Sequence, residues 1–88
     1  MLKTNQVGQA SVSSLSIMLN IAEGSAKFSN KDRKNFYVTA RGSTFECAAL
    51  VNFLHGEEEI SNELKLELSN SYEEISRMLF TMIKNLEE

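Results

Sequence analysis

Apolar positions recur at helical spacing through almost the whole chain, and the signal is strongest in its last third. Ile60, Leu64, Leu68, Tyr72, Ile75, Leu79, Met82 and Leu86 step by 4, 4, 4, 3, 4, 3 and 4. Such spacing keeps one face of an α-helix apolar. It predicts a helix from about Glu58 to Leu86, with Glu57 to Glu59 in a first turn whose dipole favours negative charge. A second stripe, Phe36, Ala40, Ser43, Cys47, Leu50 and Leu54, predicts a helix from about Asn30 to Leu54. Ser29 followed by Asp32 resembles a capping box at its start, with Phe28 placed as a staple residue. The first segment, about Thr4 to Glu23, repeats Val7, Ala10, Ser14, Ile17 and Ile21, with Met18 alongside. Gly24 and Gly56 follow the first two runs and are expected to be C-terminal stops, because glycine tolerates the left-handed conformation.

The His55-Gly56-Glu57 connection should fold the second and third segments into an antiparallel hairpin, each arm roughly 37 Å long at 1.5 Å per residue. The expected fold is all-α, an antiparallel bundle of three long helices forming a single domain over residues 1–88. The absence of proline agrees, since proline breaks helix interiors. Phe45, Ala48, Val51 and Phe53 widen the second apolar face, and Leu66, Met78, Phe80 and Ile83 widen the third. A helix apolar on more than one side needs more than one neighbour. Domains this small bury only about 60–65% of the surface their unfolded chain exposes. A homo-oligomer is therefore expected. Gly42 lies mid-helix, where glycine costs about 1 kcal/mol relative to alanine, so Gly42 and Ser43 are expected at a close helix–helix approach.

Charge divides the chain. The net charge is −3, yet residues 27–41 carry Lys27, Lys31, Arg33, Lys34 and Arg41 against Asp32 alone, a local +4. Residues 57–88 carry nine glutamates against Lys65, Arg77 and Lys84, a local −6. Lys27, Lys31, Lys34 and Arg41 fall at offsets of 0, 4, 7 and 14, one face of a continuous helix. Most sit near a helix N-terminus, where the dipole disfavours cations. These five residues are the candidate phosphate-contacting surface. A solvated face is the alternative. The single cysteine, Cys47, excludes an internal disulfide and suits a reducing compartment. No stretch approaches the roughly 20 apolar residues of a membrane span. Residues 1–6 have no signal-peptide core. A cytoplasmic protein is expected.

No constellation supports catalysis, and the protein is expected not to be an enzyme. Inward-facing Glu-x-x-His pairs of a di-metal bundle are lacking: the one histidine, His55, has Asn52 three residues before it. A helical ribonuclease of the HEPN type needs an arginine four to six residues before its histidine, and Arg41 is too far from His55. Cys47 lies on the expected core face without a histidine beside it and is read as a small buried apolar residue. No phosphate-binding glycine loop is present. No metal, cofactor or small-molecule substrate is expected. Asn20 and Glu23 share a face and are expected to anchor the turn, Glu23 by pairing with Lys27 or accepting backbone donors.

Asn20-Ile21-Ala22-Glu23-Gly24, preceded by Gln9, Ser16 and Ile17, resembles the helix-end signature of the four helix bundle protein family, also called the 23S rRNA intervening sequence protein family. The resemblance continues through Ser29, Phe36, Ala40, Gly42-Ser43 and Glu46, and ends with Glu74 to Leu79 and Ile83-Lys84. It implies a four-helix bundle subunit, a homopentameric ring and no enzymatic activity. Members are encoded in intervening sequences of ribosomal RNA genes. Relatives serve diversity-generating retroelements, where a basic pentamer engages a reverse transcriptase and nucleic acid. In the family another helix usually precedes the glutamine-containing one, so this chain resembles a four-helix bundle lacking its first helix. Ser11 and Val12 stand where the family tends to carry basic residues.

The expectation is thus a non-enzymatic, oligomeric helical adaptor. The resemblance favours a pentamer, with a dimer as the alternative. The expected partners are RNA or DNA and a reverse transcriptase, met through Lys27, Lys31, Arg33, Lys34 and Arg41. The competing expectation is a purely protein–protein module.

Overall fold

The computed structural model describes residues 4–87, with side chains from residue 12 onward. Three helices make up the fold: α1 (Thr4–Ala26), α2 (Asn30–Gly56) and α3 (Asn62–Asn85). Val7, Gln9 and Ala10 lie outside the described side chains. The bundle is antiparallel throughout. Ser13 meets Glu46 and Ser25 meets Tyr37 across α1 and α2. Arg41 meets Ser76 and Lys34 meets Glu87 across α2 and α3.

α2 is the central element. The backbones of α1 and α3 each pack on α2 and stay apart from one another. The Cα envelope measures 45 × 21 × 13 Å. Removing a Cα radius of about 2.3 Å from each side of the 21 Å width puts the outer axes about 16 Å apart. Three helices in a flat row at 8–10 Å spacing would span about that or more, but would be only one helix thick, about 5 Å across their Cα atoms, against the observed 13 Å. The arrangement is a bent row with α2 at its middle. Leu79, 1% exposed, packs with Tyr37 and Ala40 at the centre. Ile21 from α1 and Ile75, Met82, Ile83 and Leu86 from α3 surround them.

Several local expectations are corrected. α1 does not stop at Gly24 but continues to Ala26, and no glycine has a positive φ. Gly24 is needed for space: a Cβ there would lie 2.7 Å from Tyr37 Cε1. Gly56 closes α2 in helical geometry, and Glu58 takes the left-handed conformation with φ 61°. α3 begins at Asn62, not Glu58, because Ser61 caps it by accepting from the Leu64 N–H at 3.1 Å. Glu57 to Glu59 therefore lie in the connection, and Glu63 is the acid in the first turn. Ser29 does cap α2, accepting from Asp32 N–H at 3.1 Å, but Phe28 is 99% exposed and staples nothing. Met18 also points outward rather than beside the core stripe.

Candidate nucleic-acid interface

Lys27, Lys31, Arg33 and Lys34 gather at the end of the bundle where α1 ends and α2 begins, Arg41 lies further along α2, and most of these charged groups already have work within the chain. Arg33 Nε donates to the Lys27 carbonyl at 2.6 Å, closing the α1–α2 turn. Lys27 Nζ lies 3.8 Å from Glu23 and 5.3 Å over the Phe36 ring. The expected Glu23–Lys27 pair is thus present. Lys34 reaches Glu87 at 3.0 Å. Arg41 Nε donates to Ser76 Oγ at 3.3 Å, and its guanidinium lies 5.3 and 5.2 Å from the Phe45 and Phe80 ring centres. Lys31 is exposed. Exposed ion pairs hold little energy and exchange readily, so Lys27 and Lys34 stay open to a polyanion. Arg33 and Arg41 are engaged as structural links.

Lys84 joins this end of the molecule and was not among the candidates. The antiparallel hairpin returns the end of α3 to the start of α2, as the Lys34–Glu87 pair records. Counting equally outward from the α2–α3 connection would have found it. The far end of the 45 Å bundle carries Glu57, Glu58, Glu59 and Glu63. The two signs of charge are therefore separated along the long axis.

The residues that carry the family resemblance have a different location. Ser16 and Ser43 share a hydrogen bond of 2.9 Å between α1 and α2, and Ser13 donates to Glu46 at 3.3 Å. Asn20 Nδ2 donates to the Ser16 carbonyl at 2.8 Å and to its hydroxyl at 3.1 Å. Asn20 thus braces Ser16 on its own helix rather than anchoring the turn, because the turn lies beyond Ala26. Gly24 lets the Tyr37 ring approach, and the Tyr37 hydroxyl meets Ser25 Oγ at 3.0 Å. The signature is a packing code for one helix seam. Gly42 stands outside it. A Cβ at Gly42 would meet nothing within 4 Å, so the expected close approach is absent within the chain, while Ser43 beside it is buried.

Where the seams converge, Tyr72 of α3 reaches Ser14 of α1 and Cys47 of α2. Burial pushes the Tyr72 phenol above its ordinary value, and Cys47 adds to this while the Ser14 hydroxyl opposes it. Cys47 is 2% exposed and meets Ser14 Oγ at 3.7 Å. His55 hydrogen-bonds Asn62 Oδ1 across the α2–α3 connection. No group of three metal-ligating side chains occurs among the described residues. No described helix is long and apolar enough to cross a membrane. No curated protein and no solved structure matches the chain. The family model described as 23S rRNA-intervening sequence protein matches residues 3–81. That span takes in the polar α1–α2 seam, all five basic candidates and most of α3, and the chain therefore belongs to the 23S rRNA-intervening sequence protein family.

Proposed function

We propose that this chain is a non-enzymatic subunit of a cytoplasmic homo-oligomer, which acts as an adaptor in a nucleic-acid process. The observation that carries the reading is the outward face of α1. Val12, Leu15, Met18 and Leu19 are each more than half exposed there. Thr4 to Ala22 contains no charged residue. Exposed apolar patches of more than a few hundred Å² are rare on soluble monomers and mark interaction surfaces. Interface centres are depleted of charge. A solvated helix face, by contrast, is dressed with lysine and glutamate, as α3 is.

Nucleic acid is met at the basic end, by Lys27, Lys31 and Lys34, with Lys84 beside them. Assembly would repeat this set once per subunit, so a chain of net charge −3 still offers a concentrated phosphate site. A pentameric ring that also receives a reverse transcriptase is the form that family resemblance favours. The internal engagement of Arg33 and Arg41 supports a second reading, a protein-only module with no nucleic-acid partner.

Light scattering coupled to size exclusion at micromolar concentration tests assembly. A sharp-melting monomer would overturn the proposal. Fluorescence anisotropy with a labelled single-stranded RNA at 50 and 200 mM salt tests the second part. Log affinity should fall with log salt at about −0.7 per phosphate contact. Replacing Lys27, Lys31 and Lys34 with glutamine should abolish that slope and leave the helical circular dichroism intact. An oligomer without salt-sensitive binding to RNA or DNA selects the protein-only reading.

A further inference from the structure

Two helix glycines have opposite surroundings. Gly24 is required within the chain, since Tyr37 occupies the place of its Cβ. Gly42 sits in the middle of α2 with open space where its Cβ would be. Glycine inside a helix is less favourable than alanine, and nothing inside the subunit offsets that at Gly42. It lines a cavity of about 360 Å³ on the outer side of the α2–α3 seam, with Val38, Arg41, Phe45, Phe80 and Ile83. Val38, Phe45 and Phe80 are each half exposed or more. The Arg41 guanidinium lies over the two phenylalanine rings. The result is an apolar hollow with bare backbone at its centre, shaped for another backbone to come close.

We propose that the occupant is α1 of a second copy, packed antiparallel across α2 with Leu15 over Gly42. This rests on the homo-oligomer reading above and names its interface. The register follows from spacing. On the outward side of α1, opposite Ile17 and Ser13 which face α2, Val12, Leu15, Leu19 and Glu23 form one ridge. On the outer side of α2, Lys34, Val38, Gly42 and Phe45 form another. Reversed, the ridge intervals of 3, 4 and 4 coincide with 4, 4 and 3. With Leu15 on Gly42, Leu19 falls on Val38, Val12 on Phe45, and Glu23 opposite Lys34. One alignment thus pairs Leu19 and Val12 with apolar side chains, places Leu15 over the glycine, and matches the single acid of the ridge with a lysine. Within the subunit Glu23 and Lys34 make exposed pairs with Lys27 and Glu87, both exchangeable on assembly.

The ridge and the hollow are unlike patches on different sides of the same chain. Joining them is heterologous, so each copy uses both patches, and a favourable rotation closes a ring. Two-fold pairing of α1 with α1 would leave Gly42 uncovered.

Single-thiol pairing tests the register. Leu15→Cys and Gly42→Cys chains, one bearing a size tag, are mixed, oxidised briefly and run on a non-reducing gel; Cys47 is buried and is retained. A cross-linked species of mixed size, absent from either chain alone, is expected. Gly42→Leu should raise the concentration for half-dissociation at least tenfold while leaving helical circular dichroism unchanged. Lys34→Glu should weaken assembly, and adding Glu23→Lys should restore it; both are surface changes that spare the core. An oligomeric wild type with no mixed cross-link, and with Gly42→Leu still assembled, overturns this interface and leaves the assembly reading standing. A monomeric wild type overturns both.

Discussion

The two seams of α2 hold by different means. Toward α1 the seam sets small polar groups beside buried Ile17 and Ile21: Ser16 with Ser43 at 2.9 Å, Ser13 with Glu46 at 3.3 Å, Ser25 with Tyr37 at 3.0 Å, and Gly24 beneath the Tyr37 ring. Toward α3 it is built from bulk: Leu79 with Ile75, Met82, Ile83 and Leu86, and Arg41 laid between Phe45 and Phe80. Small side chains let backbones approach and leave hydrogen bonds to fix the register. Large apolar ones supply the burial that offsets chain entropy. The polar pairs thus specify how α1 sits, while apolar burial, concentrated around Leu79, supplies the stability. Each can be attacked separately.

The largest effect should come from the apolar seam. Leu79→Ala removes the most deeply buried large side chain, 1% exposed, from the centre of the cluster. Truncations of this type cost 2–5 kcal/mol, and the crowded position of Leu79 places it near about 4. Urea unfolding followed by circular dichroism measures this. A loss below about 1 kcal/mol would mean that α3 contributes little and that the polar seam dominates.

Gly24 comes next and tests closeness rather than burial. Alanine would gain helix propensity of about 1 kcal/mol. Its Cβ would meet Tyr37 Cε1 at 2.7 Å, Tyr37 Cδ1 at 2.9 Å and Phe36 Cβ at 3.1 Å. Tyr37 is buried and bonded to Ser25, so it cannot swing aside cheaply. Gly24→Val should destabilise by about 2–3 kcal/mol through overpacking. Gly42→Ala in the dissociated subunit should stabilise by up to about 1 kcal/mol, because nothing there resists it. Equal effects at the two glycines would erase the distinction between them.

A smaller effect should report the hydrogen-bonded character of the polar seam. Ser16→Ala and Ser43→Ala each break a pair whose partner is then left half-satisfied, at about 1 kcal/mol apiece. In a double-mutant cycle the two losses should fall short of additive by about that amount. Additive losses would mean that each serine acts alone.

These differences explain what the sequence made legible. The periodicity of α3 from Leu68 to Leu86 announced a helix and its core-facing side because bulk apolar side chains carry that signal directly, whereas Ile60 precedes the helix and Leu64, 40% exposed in its first turn, lies outside the buried face. The antiparallel hairpin followed from the short connection. The polar seam gave almost no periodic signal. Ser13, Ser16 and Ser43 look like surface positions until a facing helix satisfies them. Gly24 looked like a stop because a glycine after an apolar run is usually free to turn, and only the position of Tyr37 shows that it is required for space. Gly42 was assigned the close approach that belongs to Gly24, since both are helix glycines and their neighbours lie far away in sequence. Boundaries near Ser61 were missed because three glutamates favour a first turn as strongly as a serine favours a cap. The basic run of residues 27–41 is plain in the sequence, but not Lys84 beside it, which the antiparallel return of α3 brings there, nor the uses of Arg33 and Arg41, which depend on a turn carbonyl and on a serine of another helix.

The smallest effect should arise where the two seams meet. Tyr72 extends from the apolar α3 toward Ser14 and Cys47, the polar side of the core. Burial there favours its neutral phenol, so its folded pKa stands above the ordinary 10.0. A group that ionises less readily when folded contributes stability that is fully present below its unfolded value. That contribution is lost as pH rises through the folded one. Stability should therefore hold up to about pH 10 and decline above it by an amount that Tyr72→Phe removes. The comparison must be a difference between wild type and variant, so that every change common to both chains cancels. Urea midpoints measured from pH 8 to 11 supply it. Parallel curves would show that Tyr72 is as well solvated folded as unfolded, and that the two seams share no buried junction. A curve that converges with the variant's at high pH would place Tyr72 between them, held neutral by the burial both seams provide.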